Sequence, residues 1–500
     1  MAANIRALAQ HSRMRCDASS SFAPDSPAYG GFVPAAVALF AGLWGLVVAL
    51  AGLNALYLCL SLLGCAFILR DFRIGVVLLI LLMPISRSAI FPHAMFGVTG
   101  LNPLNVLLVG TLGSCLLRGL FDGGLRRFLP RPLLFLYVLP LLLAGALGAR
   151  HVGDIADVFL MYNSVEFDSA IGYVRDLVAK PLMLVIFALL VAAAVRRSDS
   201  PEKFLLPSLI SIWIMGAMVV VYVALSGVGL GQLGSSDSRE FLSALGMHAN
   251  ELGRLYASAY ALLLFTWAQT KERGSRLALL ASMAVVVLAL LLTFSRGALV
   301  GFAVINLLFL LWQRNLKTLF FFGLAASLAL LLMPDAVSHR ILYGSGQGLN
   351  AISAGRVDGI WLPLLPETLR SPLYGNGLGS ILWSDAMHSA DGARILAVTH
   401  PHNAYLECLL DMGIAGLMLV GAFFYHVWKR FLALGNDPAL SAKMRGFYTG
   451  AAAGLAGMLI SGVSDGSLMP KAEQAFLWLT IGMMYGQHAG SVVAGAGRAS

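Results

Sequence analysis

The sequence predicts an all-α membrane protein, a polytopic helical bundle, on three observations. Hydrophobic residues make up 58% of the 500 and charged residues only 12%, with a mean hydropathy of +0.80, outside the composition of water-soluble domains. Apolar stretches of about 20 residues recur from position 33 towards the C-terminus, each long enough to cross a hydrocarbon core of roughly 30 Å as a helix. The short alternating strands of a membrane β-barrel do not occur.

Taken in order, spans are expected near 33–51, 53–69, 74–86, 103–118, 132–149, 174–195, 204–226, 251–269, 277–294, 297–313, 318–334, 404–428, 446–464 and 474–488. That makes fourteen, with twelve as the alternative, since the close pair at 33–69 and the short third span are the least regular. Residues 1–32 read as a cytoplasmic tail with no cleavable signal, 33–334 as spans one to eleven, and 335–403 as a large periplasmic loop. Residues 404–488 then hold the last three spans and 489–500 a second cytoplasmic tail. Orientation follows from Lys and Arg. With both termini cytoplasmic, alternate loops carry Arg70 and Arg73, Arg196, Arg197 and Lys203, or Lys429, Arg430, Lys443 and Arg445, so most of the 34 basic residues lie inside.

The net charge of +9 would suggest nucleic acid in a soluble protein, but in a membrane protein it reports topology, and no nucleic-acid partner is expected. Cys16, Cys59, Cys65, Cys115 and Cys408 lie in the tail or in apolar spans without CxxC spacing, so they read as structural.

The 335–403 loop is expected to be partly helical around 356–370 and then to break at "SPLYGNGLGS". Gly375, Gly377 and Gly379 there form a GxGxG without a preceding strand, so turn chemistry is favoured over a phosphate cradle. Ionisable residues at membrane depth are costly, and three segments bring them to the same non-cytoplasmic boundary. In "HANELGRLYASAY", Asn250 and Arg254 are four apart and share a helical face, with Arg254 either snorkelling or facing an anion. In "LLTFSRGALVGF", Arg296 interrupts an apolar stretch at a minimal turn, which favours an anion or a water-filled cavity.

The third segment is "THPHNAYLECLLDMGIAG". Pro401 bars helix continuation, so His402 and Asn403 fall at a helix start, where free N–H groups favour an anion. Asn403, Glu407 and Asp411 follow at i, i+4 and i+8 as one polar stripe, and Gly413 and Gly416 suggest close helix packing. A histidine suits proton transfer near neutral pH. His400 and His402 could also be half of a metal site, but no third ligand stands at a recognisable spacing, so no metal or other cofactor is expected. Arg356, Arg175, Lys180 and Asp465 are further binding candidates, and together these residues describe an outer cavity of basic character suited to a lipid phosphate or pyrophosphate.

These motifs, "SRGALVGF", "GRVDGIW", "SPLYGNGLG" and "HPHNAYLECLLDMGIAG", occur in order and resemble those of the O-antigen ligase and polymerase superfamily of bacterial envelope polysaccharide assembly, over roughly 250–465. The resemblance implies a GT-C-like, metal-independent, inverting glycosyltransferase of the bacterial inner membrane. The donor it implies is a glycan on undecaprenyl pyrophosphate, and the acceptor is a hydroxyl of lipid A core or of another glycan, met at the periplasmic face within membrane lipid. It maps paired essential arginines onto Arg254 and Arg296 and an essential histidine onto His402. His402 would then act as general base on the acceptor hydroxyl or orient it, with Glu407 or Asn403 fixing its ring. Leu417 and Met418 stand where ligases often carry threonines, so ligase and polymerase both stay open. A lipid-linked oligosaccharide transporter is the rival from another class. It is disfavoured because the charges gather at one face and no internal repeat is evident.

Overall fold

A computed structural model describes residues 27–86, 88, 91–121, 128–156, 159, 165, 167–227, 241–317, 319–320, 323–324, 346–388 and 398–496. The chain divides into two compact units, Met1–Leu60 and Ser61–Ser500. In the first, α1 (Pro27–Ala51) exposes Phe40, Leu43, Leu46 and Leu50, the surface a helix presents to lipid. α2 (Leu53–Arg70) begins there and ends in the second unit.

The second unit continues with α3 (Phe72–Leu82), a two-stranded hairpin of β1 (Ala94–Met95) and β2 (Val98–Thr99), and α4 (Pro103–Phe121). Then come α5 (Arg131–Asp154), α6 (Ala170–Arg196), α7 (Leu205–Ser226), α8 (Ala249–Gln269), α9 (Arg273–Leu292) and α10 (Arg296–Gln313). After the large loop the chain ends with α11 (Ala404–Gly435), α12 (Ala442–Ser461) and α13 (Ala475–Ala496). The fold is helical, and eight helices among the described residues are long and apolar enough to cross a membrane. The span expected at 318–334 lies mostly outside the described residues. Helix α1 starts inside the stretch read as an N-terminal tail, and α13 runs into the one read as a C-terminal tail.

α8 and α12 fall outside those eight, and their packing explains why. α8 is buried almost throughout, with α9, α10 and α12 packed around it. A helix shielded from lipid by protein can carry Asn250, Glu251 and Arg254. α12 brings Gly446, Gly450 and Gly454 against α8, where a β-carbon at either of the first two would lie 2.5 Å from the carbonyl oxygen of Phe265 or Ala261. Small residues at this spacing let two backbones meet and gain dispersion contacts across the seam.

Two helices widen for one turn, α5 at Leu134–Val138 and α6 at Val174–Ala179, and the large loop does so at Val357–Trp361. A proline follows each, Pro140, Pro181 and Pro363. Its ring lacks an N–H and crowds the carbonyl four residues back, and a π turn relieves both.

α11 is broken at Gly413, with φ 64° and ψ −170°. The glycine-rich loop fills the break. Asn376 and Gly377 donate to the carbonyls of Leu410 and Asp411, and Ile414 and Ala415 donate to those of Pro372 and Leu373. The groups that the interruption orphans are thereby satisfied. A β-carbon at Gly413 would meet the Leu373 backbone at 2.4 Å, and one at Gly375 would meet Met412 N at 2.3 Å. The GxGxG turn is thus a backbone-to-backbone dock onto a broken helix. The close packing expected at Gly413 is present, but against the backbone of this loop and at a break in the helix.

Candidate functional site

The site assembles at the N-terminal ends of α8, α10 and α11, around the turn that follows α12. α8 starts with a capping box, in which the His248 side chain accepts from Asn250 N and Glu251 Oε2 accepts from His248 N at 3.0 Å. The next turn aims Asn250 and Arg254 at one carboxylate. Asn250 Nδ2 donates to Asp465 Oδ2 at 2.5 Å, and Arg254 Nη1 stands 3.1 Å from the same oxygen. The four-residue spacing read from the sequence is the geometry that lets both reach it.

Asp465 Oδ1 lies 3.2 Å from His402 Nδ1 and accepts from Gly466 N at 2.9 Å. An ionised carboxylate only accepts, so His402 donates Nδ1–H and leaves Nε2 as the basic ring nitrogen. Burial alone would raise the Asp465 carboxyl, but the His402 hydrogen bond and the charges of Arg254, His402 and Arg356 outweigh it and hold the carboxyl well below the usual range. Arg254 Nη2 is also bound by Glu473 Oε2 at 2.5 Å. The result is a chain, His402 to Asp465 to Arg254 to Glu473, whose last three members are buried.

His402 lies at φ 53°, in the left-handed region, as the chain turns from Pro401 into α11. Asn403 caps α11, its side-chain oxygen accepting from Tyr405 N and Leu406 N at 3.0 and 3.1 Å. Ala404 N donates to the Gly462 carbonyl, which ties the start of α11 to the turn after α12. Trp361 Nε1, from the large loop, donates to the Pro401 carbonyl at 2.9 Å.

Arg356, from the same loop, donates to the Ser464 carbonyl. Arg296 is the first residue of α10, after its Ser295 cap. A β-carbon at Gly297 would be 3.4 Å from Ser464 Oγ, so this helix start lies against the same turn. A cation at the positive end of a helix dipole opposes helix stability, so Arg296 is placed there for something other than its helix.

The polar stripe of α11 divides. Glu407 pairs with Lys471 at 3.7 Å, whereas Asp411 accepts from Ser380 N and Oγ at 3.0 and 2.8 Å. Asp465 therefore fixes the imidazole, in place of Glu407 or Asn403, because the turn after α12 reaches Nδ1 while Asn403 is spent as a cap. Arg175 and Lys180 both bind Asp176 on their own helix, at 2.8 and 2.7 Å.

The expected basic cavity is also revised, since Asp465, Glu473 and Glu407 answer Arg254 and Lys471. Glu473 and Lys471 escaped the sequence reading. Their signal was "PKAEQ", charges just after a proline at the start of the last span, the same pattern that singled out His402.

His400, His402 and Asp465 each offer one ligand atom, all within 4.8 Å of one another, which supplies the third ligand that spacing did not reveal. A cation there would have to share Asp465 with Arg254 and Asn250, and positive charge already surrounds it. The trio fits a hydrogen-bonded dyad better than a metal centre. The His400 ring lies 4.0 Å from that of His402. Burial, followed by the charges of His402 and Lys471, pushes its imidazole down to about 3, so it stays neutral beside its neighbour.

No curated protein matches the chain. Residues 281–421, which run from α9 through Arg296 and the large loop to His402 and the break in α11, match the family model described as O-antigen ligase, and this match supports an assignment to the O-antigen ligase and polymerase superfamily.

Proposed function

We propose that the protein transfers a glycan from undecaprenyl pyrophosphate to an acceptor hydroxyl at the periplasmic face of the bacterial inner membrane, with inversion and without metal. The His402–Asp465 pair carries this reading, because it leaves one basic nitrogen in a cluster that also holds Arg254 and Arg356, beside the helix start that carries Arg296. His402 Nε2 takes the proton of the acceptor hydroxyl as its oxygen attacks the anomeric carbon, and the bond to the pyrophosphate breaks on the opposite side. Arg296 and Arg254 supply positive charge to the departing pyrophosphate. Arg254 does so from within its ion pairs, where it also holds Asp465 in place. Asn250 steadies the same carboxylate, and Arg356 ties the large loop to the site.

The test is transfer by the purified full-length protein in lipid, with a lipid-linked glycan donor and a glycan or lipid A core acceptor. His402→Ala, Arg296→Ala and Arg254→Ala should each abolish product while insertion is unchanged. Near-normal transfer by the His402 variant would remove its role as base. Chelation should leave transfer intact, and loss restored by a divalent ion would make His400, His402 and Asp465 a metal site. Movement of labelled lipid-linked glycan across vesicles without a new glycosidic bond would turn the reading to a transporter. In a deletion strain, unattached lipid-linked polymer marks a ligase and single repeat units mark a polymerase.

A further inference from the structure

A polar cavity of about 360 Å³ opens between the end of α5, the large loop and the first turns of α11. Nothing in the transfer chemistry above uses it. Its mouth is charged and exposed, with Asp385 77%, Asp154 64%, Arg370 50% and His151 45% accessible. The Glu367 side chain, by contrast, is only 7% accessible, and Trp383 only 8%. Each wall is braced. Arg370 Nη1 bridges Glu367 Oε2 and Asp385 Oδ1 at 3.1 and 3.0 Å, His151 Nδ1 meets Asp154 Oδ2 at 3.0 Å, and the His151 ring stacks on Trp383 with centroids 5.5 Å apart.

Two observations point to a ligand and to its chemistry. The Trp383 indole lines the cavity, and its buried Nε1–H has no hydrogen-bond acceptor among the described residues. An orphaned buried donor is costly, and a ligand oxygen would satisfy it. The lining also carries three carboxylates, Asp154, Glu367 and Asp385, against the one guanidinium of Arg370. That balance repels phosphate and sulfate but suits hydroxyls, which donate to carboxylates and accept from an indole or a guanidinium. Carboxylates, a guanidinium, an amide and hydroxyls gathered around one cavity offer the donors and acceptors that hydrogen-bond the hydroxyls of a neutral pyranose.

We propose that this cavity is a carbohydrate subsite that holds a neutral hexopyranose unit of the transferred or accepting glycan. Leu410, in its lining, is six residues from the start of α11 at Ala404, about 9 Å along the helix. A glycan laid along α11 would place one sugar in the cavity and the next towards His402. The subsite's link to catalysis rests on the glycosyl-transfer reading, whereas its binding of sugar does not.

The test is calorimetric titration of the full-length protein in nanodiscs with neutral oligosaccharide released by mild acid from the source strain's surface glycan, and separately with inorganic pyrophosphate. The wild type and His402→Ala should bind the oligosaccharide alike. Trp383→Phe, which keeps the ring and loses the N–H, and Asp385→Asn, at an exposed position, should each weaken binding roughly fivefold to tenfold. Pyrophosphate should not compete. In the transfer assay both cavity variants should raise KM for glycan and spare kcat. Unchanged affinity in both variants, or competition by pyrophosphate, overturns the subsite and leaves the His402 reading standing. Binding lost in these variants of a protein that transfers nothing upholds the subsite and overturns the transfer reading.

Discussion

The His402 cluster and the Trp383 cavity lie at opposite ends of the first two turns of α11 and solve opposite problems. In the cluster, carboxylates and cations are interlocked behind the His402 imidazole, with Arg254 Nε and Glu407 Oε2 buried without a hydrogen-bond partner among the described residues. In the cavity, Asp154, Arg370 and Asp385 stand exposed at the mouth, and the buried Nε1–H of Trp383, a lining residue, is left unmet. An ion-paired network holds one atom in one place, as proton transfer needs, while an open set of donors and acceptors reads the hydroxyls of a ligand.

The comparison breaks most visibly at His402. Removing the base should lower transfer by about 10²–10⁴, read as initial rate at equal protein in the membrane. Asp465 comes next, and Asp465→Ala separates holding from reacting. It leaves Arg254 buried with an unbalanced charge and His402 without its orienting acceptor, so a stability loss of about 3–5 kcal/mol is expected along with lost transfer. Thermal unfolding in detergent checks the first part. A variant as stable as the wild type would show that Glu473 alone suffices for Arg254.

Gly413→Ala addresses the break on which both regions depend. Alanine at φ 64° against the Leu373 backbone should cost about 1–3 kcal/mol, read as a lower Tm, and should disturb the cavity along with the cluster.

The pH response is subtler. His400 has its imidazole held at about 3, below the ordinary value of 6.5, so between those values the unfolded chain binds the extra proton. Stability therefore falls as pH drops through that window. The Asp465 carboxyl, held low, adds a loss of the same sign as pH falls below its own ordinary value of 3.8. His400→Asn should flatten the fall of Tm from pH 6.5 downward, and an unchanged slope would locate the titration elsewhere. Arg175→Ala should matter least, since an exposed pair with Asp176 contributes at most about 1 kcal/mol. A large loss of transfer there would bring α6 into the site.

Much of the site was legible because helix geometry is local. Asn250 and Arg254 at a spacing of four had to share a face, and Pro401 had to start a helix with His402 beside it. Arg296 stood out because lipid tolerates few such charges. The identity of each partner was not local. Asp465 and Glu473 lie more than 200 residues beyond Arg254, and only packing of α8 against α12 and the start of α13 chooses them. The same limit hid the cavity, whose walls come from α5, the large loop and α11, with no motif among them.

The sequence by itself determined that this is a bundle of apolar helices and which helix starts carry charge, because both follow from hydrophobic length and from the few residues a membrane tolerates. Tertiary structure alone decided that Asp465 rather than Glu407 holds His402, that Arg254 is ion-paired twice, and that a glycine loop plugs the break in α11. Each of these depends on which of several nearby groups a packed backbone brings within hydrogen-bond distance. Spacing along the chain does not encode that choice.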